Sequence, residues 1–270
     1  MQDKTCLVST LNNLYIPGFK VFLKSLVNHN KHLNLDYVVF YENDTDKTKF
    51  AEFINIYNKI IFKEIDNKEY NKIVFAKNRE WQTNPAYRLE IFNLNYSKII
   101  FFDVDAICLK PIDDILNLDY DFAAIKHELH DFNQIKTQYA FKSTIGFNGG
   151  FMIIKNKFLN KNTINGLKTI MSSSQWYGNQ GPLNIFFEDV VTLLSTKYFL
   201  PVTQANLQTI KTAYFVHFLG EKKPWFGSRC CFKSNKFYFN EKYSEQVLKT
   251  IDTPTLIKLQ KIYDTLLYSS

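Results

Sequence analysis

The chain is poor in the residues that mark disulfide scaffolds, collagen-like repeats and flexible linkers, with 4 Cys, 9 Gly and 7 Pro among 270 residues. Cys6, Cys108, Cys230 and Cys231 are too few and too unevenly spaced for a disulfide framework or a zinc site, so a reducing setting is expected. No apolar run approaches the roughly 20 residues that a membrane helix needs. The strongly apolar stretches, such as Ile99–Phe102, read instead as core strands. Internal repeats, low-complexity segments and long charge runs are also missing, which argues for one domain. The opening Met-Gln-Asp-Lys leads straight into an apolar strand, so no secretory leader is expected. Disorder is excluded by what is abundant: 16% aromatic residues, 25 of them Phe and 16 Tyr, can bury a large core.

The net charge of +7 permits an anionic partner without naming one. Nucleic acid, an anionic membrane face and a phosphorylated small substrate all fit. The wealth of Lys, Asn, Ile, Phe and Tyr fits the coding bias of an AT-rich genome, that of a microbe or a large DNA virus. The expected location is the cytoplasm, the host's cytoplasm if the source is a virus.

Hydrophobic periodicity predicts strands alternating with helices. Thr5–Thr10, Asp36–Tyr41, Lys59–Phe62, Ile73–Ala76 and Lys98–Phe102 read as strands. Phe19, Phe22, Leu23, Leu26 and Val27 form one helical stripe after Pro17, and Thr45–Tyr57 and Pro85–Leu94 read as further helices. Beyond residue 103 the pattern predicts strands at Phe122–Ile125, Phe151–Ile154 and Ala213–His217. Helices are predicted at Thr163–Ser172 and Pro182–Leu194, with a helical tail at Ser244–Tyr268 broken near Pro254. Such alternation predicts an α/β layered fold around a mostly parallel sheet.

The sharpest local feature is Ile99-Ile100-Phe101-Phe102-Asp103-Val104-Asp105, in which four bulky apolar residues end at two carboxylates. The i, i+2 spacing in extended backbone puts both carboxylates on one side, at the end of a strand where open α/β sheets bind ligands. Carboxylates so crowded repel unless a cation lies between them, which suits a divalent metal. An acidic turn capping a strand is the alternative. His217, at the end of a predicted strand in Val216-His217-Phe218-Leu219-Gly220-Glu221-Lys222-Lys223-Pro224-Trp225, supplies an imidazole. Two carboxylates and one imidazole favour Mn²⁺ over Mg²⁺ or Ca²⁺. Lys223 is then placed to neutralise phosphate on a metal-bound diphosphate. Two further stretches are candidate binding loops, each readable also as a turn or a helix cap: Gly146–Ile154, with two adjacent glycines just before an apolar strand, and Tyr177–Asn184, which starts a helix with two amides.

Together these pieces resemble glycosyltransferase family 8 and, within it, the glycogenin-like members. The resemblance runs from the first strand to about Trp225. It rests on five stretches in the family's order: Ser9–Tyr15, Phe102–Asp105, Phe147–Gly150, Gly178–Gly181 and His217–Trp225. The resemblance implies a GT-A nucleotide-sugar-binding fold over residues 1–240, and the helical, apolar pattern of the tail makes 241–270 an extension packed on the same domain. It implies retaining transfer of a hexose, glucose or galactose, from a UDP-sugar to a glycan, protein or lipid acceptor. Mn²⁺ is the implied cofactor, with Mg²⁺ as the alternative.

Carried over by position, Leu11, Asn12 and Tyr15 would line the uridine pocket, with Tyr15 stacking on the base. Asp103, Asp105 and His217 would be metal ligands, and Val104 would lie beside the donor. Arg88 would be the basic donor-binding residue, at a slightly shorter spacing to Asp103 than the family shows. Gly220 and Lys223 would hold the diphosphate, and Asn148, Gly149 and Gln180 would contact the sugar. Asp105 is expected at an open cleft rather than in the core.

One departure bears on mechanism. Glycogenin-like members usually carry aspartate where this chain has Asn179, and Trp176 stands near their other loop aspartate. An amide cannot act as a carboxylate nucleophile, so Gln180, Asn179 and Lys223 become the candidate catalytic residues of a front-face route. Asn179 as a plain helix cap is the bland alternative. The same departure motivates a competing reading, a degenerate UDP-sugar-binding protein without transferase activity. No basic segment with regular aromatic interleaving appears, so no nucleic-acid partner is expected. The sequence leaves a homodimer open.

Overall fold

The computed structural model describes residues 4–66, 70, 73, 85–128, 141–143, 145–174, 176, 178–220, 223–225, 236–237, 249–250 and 253–268. Chain order begins with strand β1 (Thr5–Leu11), helix α1 (Ile16–His29), β2 (Asp36–Tyr41), α2 (Phe50–Ile56) and β3 (Ile60–Glu64). A 3₁₀ segment over Pro85–Asn93 precedes β4 (Lys98–Phe102), β5 (Ala106–Cys108), α3 (Asp113–Leu116), β6 (Phe122–Glu128) and β7 (Ile145–Lys155). Helices α4 (Lys161–Ser172) and α5 (Gln180–Phe187) lead to β8 (Thr192–Leu194), β9 (Leu200–Pro201), α6 (Thr209–Thr212) and β10 (Phe215–His217). A two-residue ladder of β11 (Lys236–Phe237) and β12 (Lys249–Thr250) precedes the last helix, α7 (Thr253–Tyr268).

The main sheet has seven strands in the order β3-β2-β1-β4-β7-β6-β8. Four of its six neighbouring pairs are parallel, and β7 runs antiparallel to both its neighbours. A smaller sheet, β5-β10-β9, lies at the carboxyl end of β4. The α/β expectation and the mostly parallel sheet are both met.

Alternation along the strands builds a core on each face. Leu7, Leu11, Ile100 and Phe102 point toward α1, where they meet Phe19, Phe22, Leu23 and Leu26. Cys6, Val8, Ile99 and Phe101 point the other way, toward Leu89 and Phe92 of the 3₁₀ segment and Leu167 of α4. Each fully buried Phe or Leu contributes roughly 1.5–3 kcal/mol. Helix α1 starts with Pro17 in its first turn and stops at Asn30. The Asn30 amide donates to the Leu26 carbonyl (2.7 Å) and accepts from the Ile112 N–H (2.8 Å).

Several boundaries differ from the expectation, each for a local reason. Thr45–Tyr57 is not one helix: Asp46 caps a 3₁₀ turn at Lys47–Lys49, and α2 begins only at Phe50. The segment at Pro85 is 3₁₀ rather than α. Helix α5 starts at Gln180 and ends at Phe187, because the β-branched run Val190-Val191-Thr192 turns into strand β8. Strand β7 begins at Ile145, well before Phe151, so the paired glycines lie inside a strand and not in a turn. In the tail, Pro254 sits in the first turn of α7 instead of breaking a longer helix. Of the predicted strand Ile73–Ala76, only Ile73 is described, and it is not in a strand; 244–248 of the predicted tail helix also lie outside the described residues.

Cys6 and Cys108 are buried free thiols. Burial pushes both up to about 12, so neither is a reactive thiolate at neutral pH. No described helix is long and apolar enough to cross a membrane.

Candidate active site

The site forms where β4 ends. Parity along β4 puts Asp103 on the same face as Ile99 and Phe101, while Val104 turns back into the core around Phe102. The Asp103 N–H donates to the Gly150 carbonyl of β7 (2.7 Å), which extends the β4–β7 ladder by one bond. Strand β10 pairs with β5 so that His217 lies opposite Ala106, and the Phe218 N–H donates to the Asp105 carbonyl (2.8 Å). Two chain segments more than 100 residues apart are thereby fixed side by side.

The result is an Asp103–Asp105–His217 group whose ligand-type atoms all lie within 4.8 Å of one another. His217 Nε2 is 3.1 Å from Asp105 Oδ1 and 3.9 Å from Asp103 Oδ2. Contrary to the expectation of an open cleft, Asp105 is only 5% exposed and His217 3%. Asp103 keeps 26% of its side chain accessible. The smaller sheet closes over Asp105, which is why a strand-end motif became buried.

Two cations hold the carboxylates. Arg88 Nη2 donates to Asp103 Oδ1 at 2.5 Å, and the guanidinium stacks 4.5 Å from the centre of the Phe101 ring. Lys223 Nζ donates to Asp105 Oδ2 and to the Phe218 carbonyl (2.7 Å), and the residue is only 2% exposed. Burial alone would raise the Asp105 carboxyl, but Lys223 and His217 outweigh it and hold it well below the usual range. Asp103 moves the other way: burial raises it, and Arg88 only partly offsets this. The two carboxylates are therefore unequal, with Asp105 the firmly ionised one.

The residues fit a divalent cation on three grounds. The donor set is two carboxylates and one imidazole. Asp105 Oδ1 is buried and has His217 Nε2, itself a ligand-type atom, 3.1 Å away, while the carboxylate's other oxygen is engaged by Lys223. Beneath the group lies Gly150, where an added Cβ would fall 2.8 Å from Asp103 Oδ2 and 2.9 Å from His217 Cε1. Gly150→Ala should therefore push these ligand atoms apart. Its expected cost is about 1–3 kcal/mol of stability, as for other overpacked sites. Affinity for a divalent cation, probed with Mn²⁺, should fall by roughly 10–100-fold, the usual penalty for disturbing a ligand's support. Calorimetric titration of Mn²⁺ beside a thermal melt checks both; unchanged affinity would show that Gly150 plays no part in the group's geometry.

An amide floor adjoins the carboxylates. Arg88 Nη1 donates to the Gly149 carbonyl (2.8 Å) and to Asn179 Oδ1 (3.4 Å), and Asn148 Nδ2 donates to Gln180 Oε1 (3.3 Å). Asn179 occupies the N-cap position of α5, yet its side chain makes no capping hydrogen bond. The bland capping reading of that side chain therefore fails. Trp176 is fully buried and donates to the Ile170 carbonyl (2.8 Å), which makes it a packing residue. Asn184 closes the second candidate loop, but sequence reasoning gives it no role; its amide exchanges two 2.8 Å hydrogen bonds with the Phe147 backbone and pins α5 to β7. Its signal was its position one turn after Gln180, on the same helix face.

On the opposite side, Tyr15 lies with its ring centre 5.6 Å from Lys223 Nζ. Burial, then Asp105 and Asp103, hold its phenol well above the ordinary value, so it stays neutral. Asn12 is buried and accepts from the Tyr15 N–H (3.2 Å). The side chains of Leu11 and Val104 belong to the core, which leaves only their backbones to face a ligand. Gly220 has φ 85°, a left-handed conformation that strains other residues. The structure thus joins Tyr15, Lys223, Asp105, His217, Asp103, Arg88 and Asn179 through successive contacts. Arg88 also reaches the Gly149 carbonyl, next in sequence to the Asn148–Gln180 pair, and among the described residues no such link is shown for Gly220.

The fold has close solved counterparts. The galactosyltransferase LgtC, solved in complex with donor and acceptor sugar analogues, superposes with a TM-score of 0.67 at 14% identity, over 98% of this chain and 97% of its own. GlyE of Streptococcus pneumoniae superposes with a TM-score of 0.65 at 17% identity, over 100% of this chain and 61% of its own. The fold is GT-A. In sequence, mouse glycogenin-1 is 25% identical over 240 residues, covering 83% of this chain and 66% of that protein. Neurospora crassa glycogenin is 22% identical over 231 residues, covering 81% of this chain and 31% of its own length. The chain spans just under two thirds of the mouse protein and about a third of the fungal one. The family model described as glycosyl transferase family 8 matches residues 6–228, a stretch that takes in the whole contact network from Tyr15 to Lys223 and leaves out α7. The chain belongs to glycosyl transferase family 8.

Proposed function

We propose that the protein transfers a hexose, glucose or galactose, from a UDP-sugar to a glycan, protein or lipid acceptor with retention of configuration. The ion is Mn²⁺, with Mg²⁺ as the alternative, held by Asp103, Asp105 and His217. The observation that carries this reading is the buried Asp–Asp–His group with its own counter-cations, set against an amide floor. When bound, the metal supplies Lewis acidity that offsets charge on the departing diphosphate.

The chain's own residues do the rest. Tyr15, neutral and held by Asn12, offers a flat face for the uracil. Lys223 adds positive charge for the diphosphate. Asn148 and the Gly149 backbone orient the sugar, and Gln180 directs an amide at the anomeric centre. Arg88 holds Asp103 and the floor in register. Positioning and electrostatics are then the protein's whole contribution, and the leaving UDP oxygen takes the acceptor's proton.

The front-face route follows from Asn179 and makes its own prediction. Gln180→Ala should slow transfer by roughly 10²-fold, the scale of losing one oriented polar group. Asn179→Asp should give Arg88 a second ionic partner beside Asp103 while leaving the product α-linked and no sugar trapped on the protein. Mass spectrometry during turnover reads the trapped species. A glycosyl adduct on an Asp or Glu of the wild-type enzyme would overturn the route.

The specific departure at Asn179 also favours the second reading, a binding protein that holds UDP-sugar without transfer. A panel of UDP-sugars assayed for Mn²⁺-dependent UDP release, with and without acceptors, separates the two. Turnover supports the transferase, and tight binding without release supports the binder.

A further inference from the structure

We propose that Tyr263 of helix α7 is a positioning residue for the donor site, acting through Trp225 and Phe218 on Lys223 and Tyr15. This rests on the reading of Lys223 and Tyr15 as donor-binding groups. Helix α7 lies outside the family match, yet Tyr263 is only 2% exposed. Its ring stacks on Trp225, with centres 6.2 Å apart and planes at 16°. It also meets Phe218 edge-on, at 6.3 Å and 88°. Trp225 and Phe218 flank Lys223 in sequence, and the Phe218 carbonyl accepts a hydrogen bond from the Lys223 ammonium. One α7 side chain thus braces both ends of the segment that presents the lysine.

Trp225 carries the contact onward. Its ring meets Tyr15 edge-on at 5.6 Å, its Nε1 donates to the Leu14 carbonyl (2.7 Å), and it lies so close to Gly18 that an added Cβ there would overlap the ring. The tryptophan is therefore wedged between α7 and the start of α1, with Tyr15 at its edge. Leu256 and Leu259, in the same core cluster as Val21 and Val216, anchor α7 to the body and keep Tyr263 in place.

The test uses the full chain and two substitutions, Tyr263→Leu and Tyr263→Phe. Hydrogen exchange of the peptide carrying Phe218, Lys223 and Trp225 reads the brace without any donor. Calorimetric titration of UDP with Mn²⁺ reads its consequence, and a thermal melt reports overall stability. Tyr263→Leu should speed exchange in that peptide and weaken UDP binding by roughly tenfold, the scale of losing two aromatic contacts. Tyr263→Phe should restore both. In a Lys223→Met background Tyr263→Leu should cost less UDP affinity than in the wild type, because only the branch through Tyr15 remains. A lower melting temperature with exchange and UDP affinity both unchanged would make Tyr263 a packing residue only and overturn the proposal. Faster exchange with unchanged UDP affinity would uphold the brace and instead contradict the donor-binding roles of Lys223 and Tyr15. Should Tyr263→Leu fail to fold, Tyr263→Met fills the space without an aromatic face and is read by the same outcomes.

Discussion

Asp105→Asn is expected to reduce turnover by a factor on the order of 10³ or more, because the metal and its charge stabilisation go together. It should also destabilise the fold, which a residue at an open cleft would not do. Lys223 and His217 would then face a neutral amide inside the protein. Removing one partner of a buried ion pair costs roughly 3–5 kcal/mol, since the remaining charge stays out of water. Adding Lys223→Met removes that stranded charge, so the double variant should regain most of the stability while staying inactive. Urea denaturation and UDP release measure the two effects separately. A single variant that kept Mn²⁺ binding and turnover would remove Asp105 from the metal group.

Lys223→Met should slow transfer by about 10²–10³-fold, corresponding to roughly 2–4 kcal/mol for a lost charge-stabilising donor. UDP binding should weaken less than the rate, because the ammonium matters most as the diphosphate departs. The structure adds a second signature. Without the lysine, the buried Asp105 carboxylate loses its principal counter-charge. Mn²⁺ should then raise the melting temperature of the variant more than that of the wild type, by the ordinary linkage of a ligand that binds only the folded state. An unchanged rate and an equal Mn²⁺ response would leave Lys223 as a packing charge.

Much of this site was legible because its parts are local in sequence. The strand-end pair Asp103 and Asp105, the His217-to-Trp225 stretch and the two amide loops each stand out within ten residues. Strands with continuous apolar runs, such as Lys98–Phe102, were equally plain. What the sequence could not supply was depth and pairing between distant segments. Asp105 is buried because β5 pairs with β10, a contact between segments more than 100 residues apart. Gly149 and Gly150 are readable in sequence as a binding loop or a turn, both outside a strand; in the fold they serve as space inside β7, where Arg88, Asp103 and His217 crowd in. In sequence Asn179 is a candidate catalytic residue with a plain helix cap as the alternative, and only the fold brings Arg88 to its side chain. Tyr263 carried no local signal, because its meaning lies in the Phe218 and Trp225 rings about 40 residues earlier.

The central claim is that one divalent cation sits on Asp103, Asp105 and His217 and meets the donor diphosphate there. Anomalous diffraction at the manganese edge, from crystals grown with Mn²⁺ and UDP, tests it most directly. The account predicts a single strong peak in coordination contact with all three side chains and with phosphate oxygens. A well-ordered UDP with no peak at these residues, or with manganese held elsewhere, would contradict it.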